Sequence, residues 1–344
     1  MAHQSLYRVY RPSTFKEVVG QEQITNSLAE QIAEKKVAHA YLFAGSRGLG
    51  KTSIARIFAH ELGTTPKDIY EIDAASNNSV EDIRALTENV YTLPFESPYK
   101  VYILDEAHML SKGAWNAFLK TLEEPPAHVI FILATTELSK VPETVQSRCQ
   151  VYEFKKPSRA ILAKLITEIA KKEGKTIEPA AADLVALLGD GSYRDALGTL
   201  EKVFAMGGKA ISREDAEKAT GAPKYELVEA FVTALSDGDA EKALAAIRKT
   251  EQQSVDMGLY LSLILEYVRT VLLVHVAPEL RKEIAVEIGA DAYAGIEKLA
   301  QEKNSKLTHQ TLKVLLDATE RMRFSPVPAL PLELAVFELL GQDR

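Results

Sequence analysis

The sequence predicts an α/β domain built on a parallel sheet, followed by a small helical domain and a larger all-helical domain. Three observations predict it. Between Ala40 and Phe154, short apolar runs alternate with segments of helical spacing. After Pro157 runs of strand character stop, and glycines and prolines divide the remainder into helices. The apolar runs show no polar face, and strands buried on both sides that alternate with helices imply a parallel sheet covered on both faces. The expected domains are 1–157, 158–221 and 222–344, in keeping with 344 residues.

In order, "AYLFAG" is a strand ending in glycine, and "KTSIARIFAHELG" follows with Ile54, Phe58 and Leu62 at helical spacing, Gly63 marking the stop. "DIYEIDAA" reads as a second strand. "VEDIRALTENVYTL" places Ile83, Leu86 and Val90 on one helical face. "KVYILDEA" and "VIFILATT" are two further strands, and "QVYEF" is the last. Between those two, "SKGAWNAFLKTLEEPP" is a helix capped by Ser111 and stopped by Pro125-Pro126. From 158 onward helices break at Gly174, at Gly189-Asp190-Gly191 and at Gly207-Gly208. "YELVEAFVTAL" carries an apolar face of Leu227, Val228, Phe231, Val232 and Leu235, and "SDGD" turns the chain.

A net charge of −7 argues against a protein held to nucleic acid by bulk charge, although a local basic patch remains compatible. The single cysteine, Cys149, excludes internal disulfides and four-cysteine zinc sites, and fits a reducing cytoplasm. The seven histidines show no paired ligand spacing. "MAHQSLYRVYRPSTF" lacks the apolar stretch of a signal peptide. "YLSLILEYVRTVLLVHVA" is interrupted by Glu266, Arg269 and His275 and reads as a core helix rather than a membrane span.

"GSRGLGKT" fits the P-loop pattern. Gly45, Ser46, Arg47, Gly48, Leu49, Gly50, Lys51 and Thr52, with Ser53 next, are the candidate phosphate-binding residues. The glycines let the backbone approach a polyphosphate, whose oxygens the loop amides and helix N-terminus bind. Lys51 supplies positive charge, and Thr52 offers its hydroxyl to Mg²⁺. In "VYILDE" a buried strand ends at Asp105, the candidate Mg²⁺ partner, and Glu106 is placed to polarise an attacking water. Asp105-Glu106-Ala107-His108 spells a helicase label, yet Asp105 and Glu106 serve ATP hydrolysis generally, and His108 reads as a local structural or coupling residue. Thr136, at the end of "VIFILATT", is a candidate sensor of the γ-phosphate or the water.

The ordered segments "YRVYRPSTFKEVVGQEQI", "HAYLFAGSRGLGKTSIARIFA", "EIDAAS", "KVYILDEAHMLSKGAWNAFLKTLEEPP", "FILATTELSKVPETVQSRCQVYEF" and "GSYRDALGTLEK" resemble the gamma/tau subunit family of bacterial DNA polymerase III, AAA+ ATPases of sliding-clamp loaders. The resemblance implies that Arg148 is an arginine finger acting in trans, Arg194 a second sensor in its own subunit, and Thr136 the first sensor. It implies that Tyr7, Arg8, Arg11, Pro12, Val18 and Val19 wall the adenine and ribose, with plain packing of an N-terminal arm as the equal alternative. Cys149 reads as a small buried neighbour of the finger. The implied cofactors are ATP and Mg²⁺. The implied partners are other loader subunits in a five-membered ring joined by a helical collar, a sliding clamp, and primed DNA gripped by its phosphates, with no membrane. Lys112, Lys120 and Lys140 are candidate DNA contacts, each equally readable as a surface lysine.

Two departures follow. The family's four-cysteine zinc module is replaced by "HELGTTPKDIY", so no zinc is expected. The chain ends at "ELLGQDR", so the extension of the long form is expected to be absent. Three other readings stand beside this one: a small subunit of replication factor C, a non-hydrolysing subunit of the same ring, and a branch-migration helicase. "EIDAAS" and "GSYRDAL" favour the bacterial loader, and the intact Gly50-Lys51-Thr52 and Asp105-Glu106 oppose a non-hydrolysing subunit.

Overall fold

Five strands alternate with helices over residues 40–153, and each strand pairs with its neighbours in parallel. The computed structural model describes residues 4–253, 255–288, 290–302 and 304–341. By contacts the chain falls into two compact units, residues up to 162 with 189–198, and 163–188 with the residues from 199 on.

In the first unit, α1 (Leu6–Val9) and α2 (Glu22–Ala33) precede β1 (Ala40–Ala44). Then come α3 (Lys51–Glu61), β2 (Ile69–Asp73), α4 (Val80–Val90), β3 (Lys100–Asp105), α5 (Lys112–Glu123), β4 (Val129–Thr135), α6 (Glu143–Gln146) and β5 (Gln150–Glu153). The strands form one parallel sheet in the order β2-β3-β4-β1-β5. Successive side chains point to opposite faces, which builds two cores. Leu42, Tyr102, Leu104, Phe131 and Leu133 pack on one face with Ile83, Leu86 and Val90 of α4 and Trp115, Phe118 and Leu122 of α5. Tyr41, Phe43, Ile103 and Ile132 pack on the other with Leu28 of α2 and Ile54, Phe58 and Leu62 around α3.

Burial on both faces holds for β1, β3 and β4 but not for β2 and β5, which are half-exposed. Those two are the edge strands, so the expectation of uniformly apolar strands is corrected there. The Ser111 cap is present, its hydroxyl accepting the Ala114 amide at 3.2 Å. Ser79 and Asp82 close a reciprocal capping box on α4.

The second unit contains the remainder of α7 (Arg159–Lys172), β6 (Thr176–Ile177), α8 (Pro179–Leu188), the remainder of α9 (Tyr193–Met206), β7 (Ala210–Ile211) and α10 (Arg213–Thr220). β6 and β7 pair in parallel, which corrects the expectation that strands stop after Pro157. Two residues per strand are too few to leave a period in the sequence.

The unit continues with α11 (Tyr225–Asp237), α12 (Ala240–Gln252), α13 (Met257–Val276), α14 (Arg281–Ile288), α15 (Ala290–Gln301), α16 (His309–Met322) and α17 (Leu330–Leu340). All five residues of the predicted α11 face are buried. In "SDGD", Gly238 takes a left-handed conformation that ends α11, and the Asp239 carboxylate accepts the Lys242 amide at 3.0 Å to cap α12. By length and composition alone α13 is apolar enough to cross a membrane. Its Tyr260, Leu261, Ile264, Val268 and Val271 are buried, and it packs against α11, α15 and α16, while Arg269 and His275 are exposed.

Candidate nucleotide site

The P-loop leaves the sheet where β1 ends beside the last residue of β4. The Gly45 amide donates to the Thr135 carbonyl at 3.1 Å, and the loop passes residues 46–50 before α3 starts at Lys51. Leu49 is buried in the core with Ile54 and Phe58 and so anchors the loop from below, while Ser46 and Arg47 are exposed. Two glycines are required by close approach. A Cβ on Gly45 would lie 2.8 Å from the Phe154 carbonyl, and one on Gly48 would lie 2.0 Å from the Ser192 hydroxyl. Both have positive φ.

Lys51 is buried, 6% exposed, and its ammonium donates to the carbonyls of Gly45 at 2.6 Å and Ser46 at 2.9 Å. Burial pulls its pKa below the usual lysine value, and the charges of Glu106 and Asp105 oppose that shift. The Thr52 hydroxyl donates to Oδ2 of Asp105 at 2.8 Å, and Oδ1 accepts the Glu106 amide at 3.0 Å. A hydroxyl beside a carboxylate is a hard-oxygen pair that suits Mg²⁺, a cation that keeps waters and substrate oxygens for its other positions. Glu106 has φ 49°, left-handed for a non-glycine residue. That conformation costs about 1–2 kcal/mol and is unusual enough to mark a site. Its Oε2 accepts the Thr136 hydroxyl at 3.0 Å. Thr136 lies one residue past β4 rather than within it, because the ladder ends at Thr135 opposite Ala44.

The segment 189–198 belongs to this unit. The Tyr193 amide donates to the Gly48 carbonyl at 3.1 Å, and the Tyr193 hydroxyl donates to the Val19 carbonyl. The Arg194 guanidinium sits 5.7 Å from the centre of the Tyr7 ring, and Arg8 sits 5.8 Å from the same ring. Arg11 donates to the Ser53 hydroxyl at 2.8 Å, tying the N-terminal arm to the first turn of α3. Tyr7, Arg11 and Pro12 are half-buried and Arg8 is exposed. Val18 packs against the core shared by α2 and α3, whereas Val19 is exposed and contributes its backbone carbonyl.

Arg148 stands apart from these groups. Its guanidinium donates to Glu123 at 2.6 Å and to the Thr144 carbonyl at 2.7 Å. Two residues later Gln150 pairs with Tyr41 near the start of β1, at the opposite end of the sheet from the P-loop. Within one chain Arg148 and the P-loop therefore lie at opposite ends of the strands. Cys149 is half-buried rather than fully buried and packs against the core that includes α4 and α5, where burial raises its thiol to about 12. Lys112 opens α5 and Lys120 lies in its last turn, both exposed, while Lys140 is paired to Glu137 at 2.8 Å.

Several partners of the site are silent in the sequence. Ser192 caps α9 by accepting the Asp195 amide at 3.2 Å and also crowds Gly48. A serine before "YRDAL" signals the cap, but nothing local signals the contact with the loop. The same holds for His108, whose neighbours Thr135 and Glu137 come from the end of β4 and the loop after it.

A family model described as DNA polymerase III, delta subunit, matches residues 20–78 and 64–158. One described as DNA polymerase III subunits gamma and tau domain III matches residues 211–343. DNA polymerase III subunit tau of Bacillus subtilis is 37% identical over 98% of this chain and 63% of its own length. DNA polymerase III subunit gamma of Buchnera aphidicola subsp. Schizaphis graminum is 32% identical over the whole of both chains. The chain thus spans just under two thirds of the first relative and all of the second. The solved Thermotoga maritima RuvB Holliday junction branch migration motor aligns with a TM-score of 0.54 at 19% identity, covering 89% of this chain and 98% of that one. At that identity the likeness establishes the fold alone. With identity above 30% sustained over nearly the full chain, the chain belongs to the DNA polymerase III gamma/tau subunit family.

Proposed function

We propose that this chain is the ATP-hydrolysing motor subunit of a sliding-clamp loader, which uses ATP to open a clamp and place it on primed DNA. The observation that carries the reading is the convergence of Lys51, Thr52, Asp105, Glu106, Thr136 and Arg194 around one P-loop at the C-terminal edge of a parallel sheet, where such sheets take ligands.

In this reading the amides of residues 45–52 and the N-terminus of α3 receive the polyphosphate. Lys51 exchanges the Gly45 and Ser46 carbonyls for phosphate oxygens. Thr52 and Asp105 hold Mg²⁺, which when bound neutralises charge on the phosphates. Glu106 accepts a proton from the attacking water, and Thr136 orients Glu106 or the water. Arg194 leaves the Tyr7 ring for the γ-phosphate, which links segment 189–198 to nucleotide state. Tyr7, Arg8, Arg11, Pro12, Val18 and Val19 belong to the arm that borders the base and ribose. The opposite placement of Arg148 supports a role in trans, at the ATP of a neighbouring subunit.

The functional partition is 1–157 for nucleotide chemistry, 158–221 as lid and 222–344 as the collar of a five-membered ring with other loader subunits. Lys112 supports phosphate contact because a cation at the first position of α5 opposes the helix dipole and gains nothing locally. Lys120 and Lys140 complete the candidate DNA set. The setting is cytoplasmic, and zinc takes no part.

Arg148→Ala tests the trans assignment. In rings carrying it at every site, ATP affinity stays within a few fold while turnover falls by about 10³. Wild-type turnover in such rings removes Arg148 from the mechanism.

A further inference from the structure

The Glu106 carboxylate has a second neighbour besides Thr136. The His108 side chain is 7% exposed, with Nδ1 3.2 Å from the Thr135 hydroxyl and 3.5 Å from Oε2 of Glu106. Its Nε2 lies 3.5 Å from Oε1 of Glu137, whose other oxygen-bound partner is Lys140 at 2.8 Å. The slot that holds the ring is itself built: Thr135 is fully buried, and its hydroxyl accepts the Glu137 amide at 3.0 Å. We propose that His108 is a positioning residue for Glu106, with Glu137 setting the ring from its far side. The inference rests on the ATPase reading and assigns a residue that reading does not use.

The physical case is one of restraint. Glu106 leaves the sheet in a left-handed conformation, so neither a helix nor a strand fixes its side chain. Two groups bracket it, the Thr136 hydroxyl and the His108 ring, and both meet the same oxygen, Oε2. Oε1 has no hydrogen-bonding partner among the described residues, which leaves it as the oxygen open to a water. A general base works only within hydrogen-bond reach of the proton it takes, and a displacement of about 1 Å can cost on the order of 100-fold in rate. His108 has no place in nucleotide binding in this arrangement, because its contacts run to β4 and the loop after it, not to the P-loop. Its loss therefore acts on turnover and not on affinity.

The test uses the full chain assembled with its partner subunits, comparing wild type with H108L, H108N and E137A. The readouts are kcat for ATP, Kd for a fluorescent ATP analogue, and Tm. We expect H108L to lower kcat by about 10- to 100-fold with Kd within twofold of wild type. H108N keeps a polar group on the Nδ1 side and recovers most of that loss. E137A changes an exposed position, leaves Tm unmoved and lowers kcat severalfold. H108L with wild-type kcat overturns the assignment. So does a parallel loss of Kd, Tm and kcat in H108L that H108N does not relieve, which makes the ring a packing element only. If the wild-type assembly itself hydrolyses no ATP, the ATPase reading fails before the variants are compared.

Discussion

Arg148 and Cys149 are adjacent in sequence and differ completely in surroundings. The Arg148 side chain is 35% exposed and reaches across to Glu123 on α5. The half-buried Cys149 side chain packs against the core that includes α4 and α5. The core withholds solvent from the thiolate, so burial lifts the thiol from its ordinary value near 9 to about 12. A group whose folded value is raised contributes stability that is complete below the unfolded value. That contribution is lost as pH rises from about 9 toward about 12. At pH 8 the native thiol should therefore alkylate much more slowly than the same thiol in denaturant. Mass spectrometry after timed iodoacetamide exposure checks this, and equal rates would place Cys149 outside the core. The neighbouring arginine needs no such protection, since an ion pair this exposed contributes about 0–1 kcal/mol and is readily exchanged for another anion.

Among the elements, the join between the P-loop and segment 189–198 is tightest at Gly48. Alanine there meets the Ser192 hydroxyl and takes a positive φ that costs an ordinary residue about 1–2 kcal/mol. Gly48→Ala should lower Tm and speed hydrogen exchange of the Tyr193 amide, which bonds the Gly48 carbonyl at 3.1 Å. Unchanged exchange would mean that the segment does not depend on this loop. The same scale separates what the sequence makes legible from what it hides. β1, β3 and β4 are legible because burial on both faces leaves their interiors apolar, with polar residues only at the ends of β3 and β4, and the α11 face is legible because five apolar residues repeat at helical spacing. The P-loop is legible because its chemistry lies in one contiguous stretch. β6 and β7 are hidden by their two-residue length. The meeting of Glu106, His108 and Thr136 is hidden for a different reason: the register of β3 on β4 produces it, and register is a property of the folded sheet. Tyr193 on Val19 and Arg194 on Tyr7 join residues more than 170 positions apart, beyond any local pattern.

For the whole molecule, membership of the gamma/tau family and the geometry of one P-loop edge lead to the same account. In the proposed function each chain contributes Lys51, Asp105, Glu106 and Arg194 to its own nucleotide and presents Arg148 to a neighbour's. Such a division of groups makes turnover a property of the assembly and not of the isolated chain. A net charge of −7 is compatible with the proposed DNA contact, because phosphate contacts need only a few cations and helix N-termini on one surface. The most direct test is the ATPase rate of the assembled complex, measured with and without sliding clamp and primed DNA. The expected rate rises severalfold when both are present and falls far below its basal value when Glu106 is changed to Gln. A rate indifferent to clamp and primed DNA in an otherwise active complex would contradict it.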